Sequence, residues 1–248
     1  MEKRGQVAIF ILLVTVIVIA AALVMFSRSN SNQDISTQVS GPKFESYFFF
    51  IDTCLKTKAE DAVKETAFRG GYFEFPGPYV KFIYLGYPFY LFGGSNYFPN
   101  QENVKESLAL MYRELSLQCY DGLVDSLNNT LKVELGNVKS DALITTDSVV
   151  FSINYPISIE ANGKKESREN FRFEVPAEVD HIHSAISEFL DMEKETSDAL
   201  CWTCLSDISE KYALDVGMRP LDGNNVLFSF SYNKTGIPIA WVFANEYK

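Results

Sequence analysis

Residues 148–160 read SVVFSINYPISIE, and the fold turns on them. Phe151, Ile153, Tyr155, Ile157 and Ile159 alternate with Ser152, Asn154, Pro156, Ser158 and Glu160, which is the period of a strand with one face buried. Asn162-Gly163 follows, a pair that accepts the backbone of a tight hairpin turn, and ENFRFEV (169–175) then resumes the alternation. The same enrichment in β-branched and aromatic residues recurs in LKVEL (131–135), ALDVGM (213–218), NVLFSFSY (225–232) and IPIAWVF (237–243), with Asp222-Gly223 as a second turn signal. The second half is therefore predicted to be mostly antiparallel strands. One helical stretch intrudes at 177–212, broken near Thr196-Ser197, with Ile182, Ile186, Phe189 and Leu190 facing the core.

Working back toward the amino terminus, the period changes. From Glu45 to Phe68, Phe48, Ile51, Leu55, Ala59, Ala62 and Val63 recur at three- and four-residue spacing, and Gly70-Gly71 ends the pattern, which predicts a helix. YFEF, VKFIYL and YPFYLF come next, short aromatic runs punctuated by Pro and Gly that read as strands or extended segments. A second helix is predicted after Asn100, with Val104, Leu108, Met111, Leu115 and Cys119 on one face and Gln101 and Glu102 in the first turn behind an Asn cap. The fold class is α+β, with a helix-rich aromatic part at 42–136 and a sheet-rich part at 137–248. No repeat of useful period appears.

Residues 7–26 (VAIFILLVTVIVIAAALVMF) are an unbroken apolar run long enough for a single-pass transmembrane helix. Lys3 and Arg4 precede it and only Arg28 follows closely, so the basic tail at 1–6 is expected in the cytoplasm and the bulk of the chain outside it. The run exceeds a typical secretory signal core, and no clean small-x-small cleavage site follows it. Residues 27–41 are dominated by Ser, Asn, Gln and Asp, the composition of a solvated linker. The remaining part of about 200 residues suffices for one large domain or two small ones. The whole chain's 47% hydrophobic and 22% charged residues are ordinary globular values, the first raised slightly by the apolar run. The formal net charge of -10 includes +1 from Glu2, Lys3 and Arg4, leaving the outer part more acidic still. Such a surface repels phosphate backbones, so nucleic acid is excluded as a partner class.

The segment EKRGQVAIFILLVTVIVI (2–19) is similar to the amino termini of archaeal type IV pilin-like proteins, which carry a class III signal. The resemblance implies cleavage by a prepilin peptidase between Gly5 and Gln6, leaving the helix attached. Phe10 stands at the fifth mature position, where polymerising pilins usually carry Glu, and this departure counts against filament assembly. The whole chain also resembles a group of membrane-anchored secreted proteins of small-genome archaea. They share Lys-Arg-Gly-Gln-Val-Ala-Ile-Phe-Ile and a helix like residues 54–69 running into Gly70-Gly71-Tyr72. That resemblance implies an envelope location and brings no activity with it.

Cys54, Cys119, Cys201 and Cys204 are an even set in a chain expected outside the cytoplasm, which suggests bridges. Cys54 with Cys119 and Cys201 with Cys204 is the preferred connectivity, because the first two lie on apolar helix faces and the others have only two residues between them. Cys201-Trp202-Thr203-Cys204 also has the spacing of a redox dithiol. Thioredoxin-like enzymes usually place Trp before the first Cys, where Leu200 stands here, and the βαβ context is missing. His181 and His183 are the only histidines and no GxSxG accompanies them. Two apart on a helix, they point to different sides, which argues against a zinc site completed by Cys201 and Cys204. No metal and no cofactor is expected.

Between Tyr72 and Phe98 the aromatics are dense, and Tyr79, Tyr84, Tyr87, Tyr90 and Tyr97 are the candidates for a binding surface, against a competing role in the core. Asn128 and Asn233 head glycosylation sequons expected in exposed turns. Asp222, Asn224 and Asn225 lack the spacing of a calcium loop and read as a plain hairpin turn. Two function classes follow. The first is a surface or envelope protein without catalysis, held in membrane lipid by residues 7–26, that binds a protein partner or self-assembles. The alternative is an envelope thiol-disulfide oxidoreductase using Cys201 and Cys204.

Overall fold

The computed structural model describes residues 44–126, 131–196 and 200–247, with side chains placed except at 121–126, 195 and 196. The tail at 1–6, the apolar run at 7–26, the linker at 27–41, the processing pair Gly5 and Gln6, and Asn128 lie outside the described residues. Residues 44–248 belong to one compact unit. It is α+β: four helices among the described residues, and two mainly antiparallel sheets.

Helix α1 (Phe44–Phe68) buries Phe48, Ile51, Leu55, Ala59, Ala62 and Val63, the stripe expected from their spacing. It ends because Gly70 and Gly71 take φ of +61° and +77°, and their N–H groups return to the Ala67 and Thr66 carbonyls at 2.9 and 2.8 Å. A Cβ on Gly71 would stand 2.6 Å from the Trp241 ring, so close packing as well as conformation requires glycine there. Helix α2 (Gln101–Ser126) starts at Asn100, whose Oδ1 accepts the Asn103 N–H at 2.9 Å. The α1–α2 pair is bonded through Cys54 and Cys119, with 5.8 Å between their Cα atoms.

The first sheet runs β1 (Tyr79–Phe82), β2 (Leu85–Phe92), β10 (Ile239–Glu246), β9 (Asn225–Tyr232), β8 (Asp215–Pro220), with β3 (Ser95–Asn96) beside β2. Its β2–β10 contact is parallel, pairing Phe89 with Ala244 and Leu91 with Asn245. The aromatic segment of the first half is thus built into the sheet of the second. The buried Asn245 carboxamide accepts the Leu91 N–H at 3.2 Å where the ladder shifts register. Segment 72–75, YFEF, forms no strand; it is an irregular connection ahead of β1.

The second sheet is organised by β6 (Ser148–Ala161), which pairs along its length with β7 (Lys164–Pro176) through the Asn162-Gly163 turn. Its other edge is shared end to end by β5 (Lys139–Ile144) and β4 (Lys132–Leu135). The handover falls at Pro156, which has no N–H to donate and lies inside the register shift between Asn154 and Ile157. Its carbonyl accepts the Gly136 N–H at 2.8 Å.

Helix α3 (Val179–Thr196) lays Phe189 against Phe228 and Phe230 of β9, with ring centroids 5.3 and 5.5 Å apart. Helix α4 (Trp202–Tyr212) is tied to it by Lys211 and Tyr212, which both donate to the Glu188 carboxylate. The predicted break lies between these helices, and helix begins at Val179 rather than Ala177. One continuous apolar cluster takes residues from α1, α2, α3, α4 and both sheets.

Candidate functional site

Two places in the fold carry chemistry that packing alone does not require. The first is the tip of the β1–β2 hairpin. Ile83 and Tyr84 have φ of +48° and +71°, the two consecutive left-handed residues of a type I′ turn, a geometry usually given to Asn-Gly. For a β-branched residue the left-handed region costs about 1–2 kcal/mol. The residues that bear this strain are also displayed: Ile83 is 67% exposed, Tyr84 is fully exposed, and Tyr79 and Leu85 are about half exposed. Behind them Phe82 lies under the Arg219 guanidinium, 4.5 Å from its ring centroid, anchoring the hairpin to β8.

The five tyrosines of the aromatic segment separate by depth. Tyr79 and Tyr84 are at the surface and Tyr97 is half-buried. Tyr87 and Tyr90 belong to the core, 6% and 0% exposed, and cannot form part of a binding platform. Tyr87 meets Phe68 of α1 edge-on at 5.6 Å, while Tyr90 stacks on Phe243 at 4.2 Å. The Tyr90 hydroxyl takes the Trp241 indole N–H at 2.6 Å and donates to the Gly70 carbonyl at 2.7 Å. Burial pushes that phenol well above its ordinary pKa.

The second place is the start of α4. Cys201 is its N-cap, with extended φ and ψ, and the Cys201 sulfur accepts the Cys204 N–H at 3.2 Å. The two cysteines are bonded, with Cα atoms 5.2 Å apart. The Cys201 N–H donates to Glu193 Oε1 at 2.8 Å, and the Tyr247 hydroxyl donates to the other carboxylate oxygen at 2.5 Å. Burial raises the Glu193 pKa, and these two hydrogen bonds oppose the rise. Cys204 is 5% exposed, Cys201 only half-buried, and Trp202 between them is 65% exposed.

The two bridges differ in what they do for stability. Cys54 and Cys119 are 65 residues apart, so closing that loop restricts the unfolded chain by about 4 kcal/mol in the loop-entropy account. Cys201 and Cys204 are three apart, and the same account gives about 2 kcal/mol.

The histidines are occupied structurally. The Nε2–H of His181 donates to the Tyr212 carbonyl and that of His183 to the Pro99 carbonyl, each at 2.8 Å. Burial lowers the His183 pKa. Among the described residues no group of three or more His, Cys, Asp and Glu side chains converges as metal ligands would. Asn233 is exposed in the β9–β10 turn, as a sequon requires, though the Thr235 hydroxyl is hydrogen-bonded to Glu178. A polar cleft of about 480 Å³ between α2 and β5 is open to solvent, and its charged lining of Glu102, Lys105, Arg113 and Asp141 is mixed in sign. No signal in the sequence marks Ile83-Tyr84 as a turn, since neither residue is a turn former. No helix among the described residues is long and apolar enough to cross a membrane. No protein-family model, curated protein or solved structure matches the chain.

Proposed function

We propose that this chain is a membrane-tethered envelope protein that binds a protein partner through the tip of its β1–β2 hairpin. The observation that carries the reading is an apolar loop, Ile83-Tyr84-Leu85, held out in solvent by two residues in left-handed conformations. Strain of this kind persists where the displayed residues serve a function, and an apolar loop of this exposure is a recognition element rather than a packing one. The tether is the apolar run at 7–26, with the amino terminus in the cytoplasm and residues 44–247 outside. Two disulfides are compatible with that compartment.

Photo-crosslinking from position 84 in native membranes tests the binding role. A discrete adduct, either with another protein or with a second copy of the chain, is the expected result, lost when Ile83 and Leu85 are both changed to Ser. Labelling spread over many proteins, unchanged by those substitutions, refutes it. Sequencing the mature amino terminus tests the pilin-like processing separately: Gln6 is expected first, and Met1 or Glu2 first would make residues 7–26 a plain signal anchor.

A further inference from the structure

We propose that the Cys201–Cys204 bond is an exchange centre that oxidises dithiols of polypeptides docked on Trp202. The argument is one of placement and is independent of the hairpin. Of the two cysteines Cys201 is the more accessible, because Cys204 is buried in the core cluster while Cys201 is half-buried at the start of α4. The Cys204 N–H, pointed at the Cys201 sulfur from 3.2 Å, and the N–H groups at the start of the helix stabilise negative charge on that sulfur when it is expelled from a mixed disulfide. The Thr203 hydroxyl is 3.5 Å from it as well. Trp202, two-thirds exposed between the cysteines, offers an apolar face to an extended chain and belongs to no apolar cluster among the described residues.

The chemistry closes without a further reagent. A partner thiolate attacks the Cys201 sulfur, forming a mixed disulfide as the bond to Cys204 breaks, and Cys204 leaves as a thiolate that takes a proton. The partner's second thiolate then attacks its own sulfur in the mixed disulfide and expels the Cys201 thiolate, which the helix start receives. Two electrons pass from the partner's sulfurs to Cys201 and Cys204. The two protons lost by the partner pass to Cys204 and to Cys201 or solvent.

The test uses the full chain in detergent micelles with a reduced peptide containing two cysteines as probe. Oxidised protein is expected to convert the peptide to its disulfide stoichiometrically. After reduction that spares Cys54–Cys119, iodoacetamide is expected to label Cys201 at least about tenfold faster than Cys204. Cys204→Ser, whose Cys201 is a free thiol, should attack the oxidised peptide, displace one of its sulfurs as a thiol and hold the mixed disulfide, because no second cysteine is present to resolve it. If that variant misfolds, the wild-type labelling ratio still decides. Trp202→Ser is expected to slow peptide oxidation several-fold, and by a larger factor than it slows the reaction with glutathione. A bond that neither glutathione nor the peptide reduces, or equal labelling of the two cysteines, overturns the proposal. An unchanged peptide rate in Trp202→Ser overturns the assignment of polypeptides as the substrate class.

Discussion

Tyr90→Phe removes one oxygen from the deepest part of the molecule, and the structure says what that oxygen does. It accepts the Trp241 indole N–H and donates to the carbonyl of Gly70, the residue that terminates α1. Both Tyr90 and Trp241 are fully buried, so water does not replace it. The substitution therefore orphans one donor and one acceptor, each at about 1–3 kcal/mol, for a combined loss of about 2–6 kcal/mol. In a domain of this size each kcal/mol lowers Tm by about 2–4 °C, giving a fall of about 4–24 °C. The assay is paired thermal and denaturant unfolding of the full chain with both disulfides intact, and the denaturant slope should not change. Tyr79→Phe is the control, an exposed tyrosine on the neighbouring strand whose loss stays within about 0.5 kcal/mol. A Tyr90→Phe loss below about 1 kcal/mol refutes the reasoning, because it would mean that the hydroxyl satisfies no buried group.

Replacing Cys54 and Cys119 together by Ala should lower stability by about 4 kcal/mol, and replacing Cys201 and Cys204 by only about 2 kcal/mol; denaturant midpoints of the two double variants check the order. Ile83→Asn with Tyr84→Gly should raise stability by about 1–2 kcal/mol by relieving the turn while abolishing the crosslinked adduct, so that binding and stability move in opposite directions. His183 is held neutral by burial, its folded pKa below the unfolded value, so its contribution is present above the unfolded pKa and lost as pH falls through about 6.5 toward the folded value. His183→Gln should flatten that part of the stability-against-pH profile, measured by denaturant unfolding between about pH 7 and pH 5.

What the sequence made legible was local. The buried stripe of α1, the Asn100 cap of α2, and the β6–β7 hairpin with its Asn162-Gly163 turn each depend on contacts within a few residues or on a short hairpin. Strand β5 escaped because Lys139, Ser140 and Asp141 open it and leave too short an apolar alternation to read. The parallel β2–β10 pairing was invisible for another reason: it joins residues more than 150 apart, through contacts such as Tyr90 with Trp241 and Phe243 and Leu91 with Asn245 that no local pattern announces. That pairing decides which tyrosines are buried, so a list drawn from aromatic density mixed Tyr87 and Tyr90 with Tyr79 and Tyr84. For the cysteines, spacing announced a possible dithiol. It did not reveal that Cys201 caps a helix while Cys204 is sealed.

The chain supplies its own internal controls for the two places singled out. At 162–163 a two-residue turn with both φ positive is made from Asn-Gly, the unstrained choice, with no atom near where a Gly163 Cβ would lie. At 83–84 the same backbone is made from Ile-Tyr, at an energetic cost and with both side chains in solvent. Helix α2 is capped by Asn100, among the best residues for the task, whereas α4 is capped by a cysteine, a far weaker acceptor whose sulfur is already bonded. In each pair one site follows the local rule and the other departs from it. The departure at Cys201 is offset by its bond to Cys204, worth about 2 kcal/mol, whereas the strain at Ile83-Tyr84 is offset by no burial of either side chain, so it is the hairpin tip that stability alone does not explain.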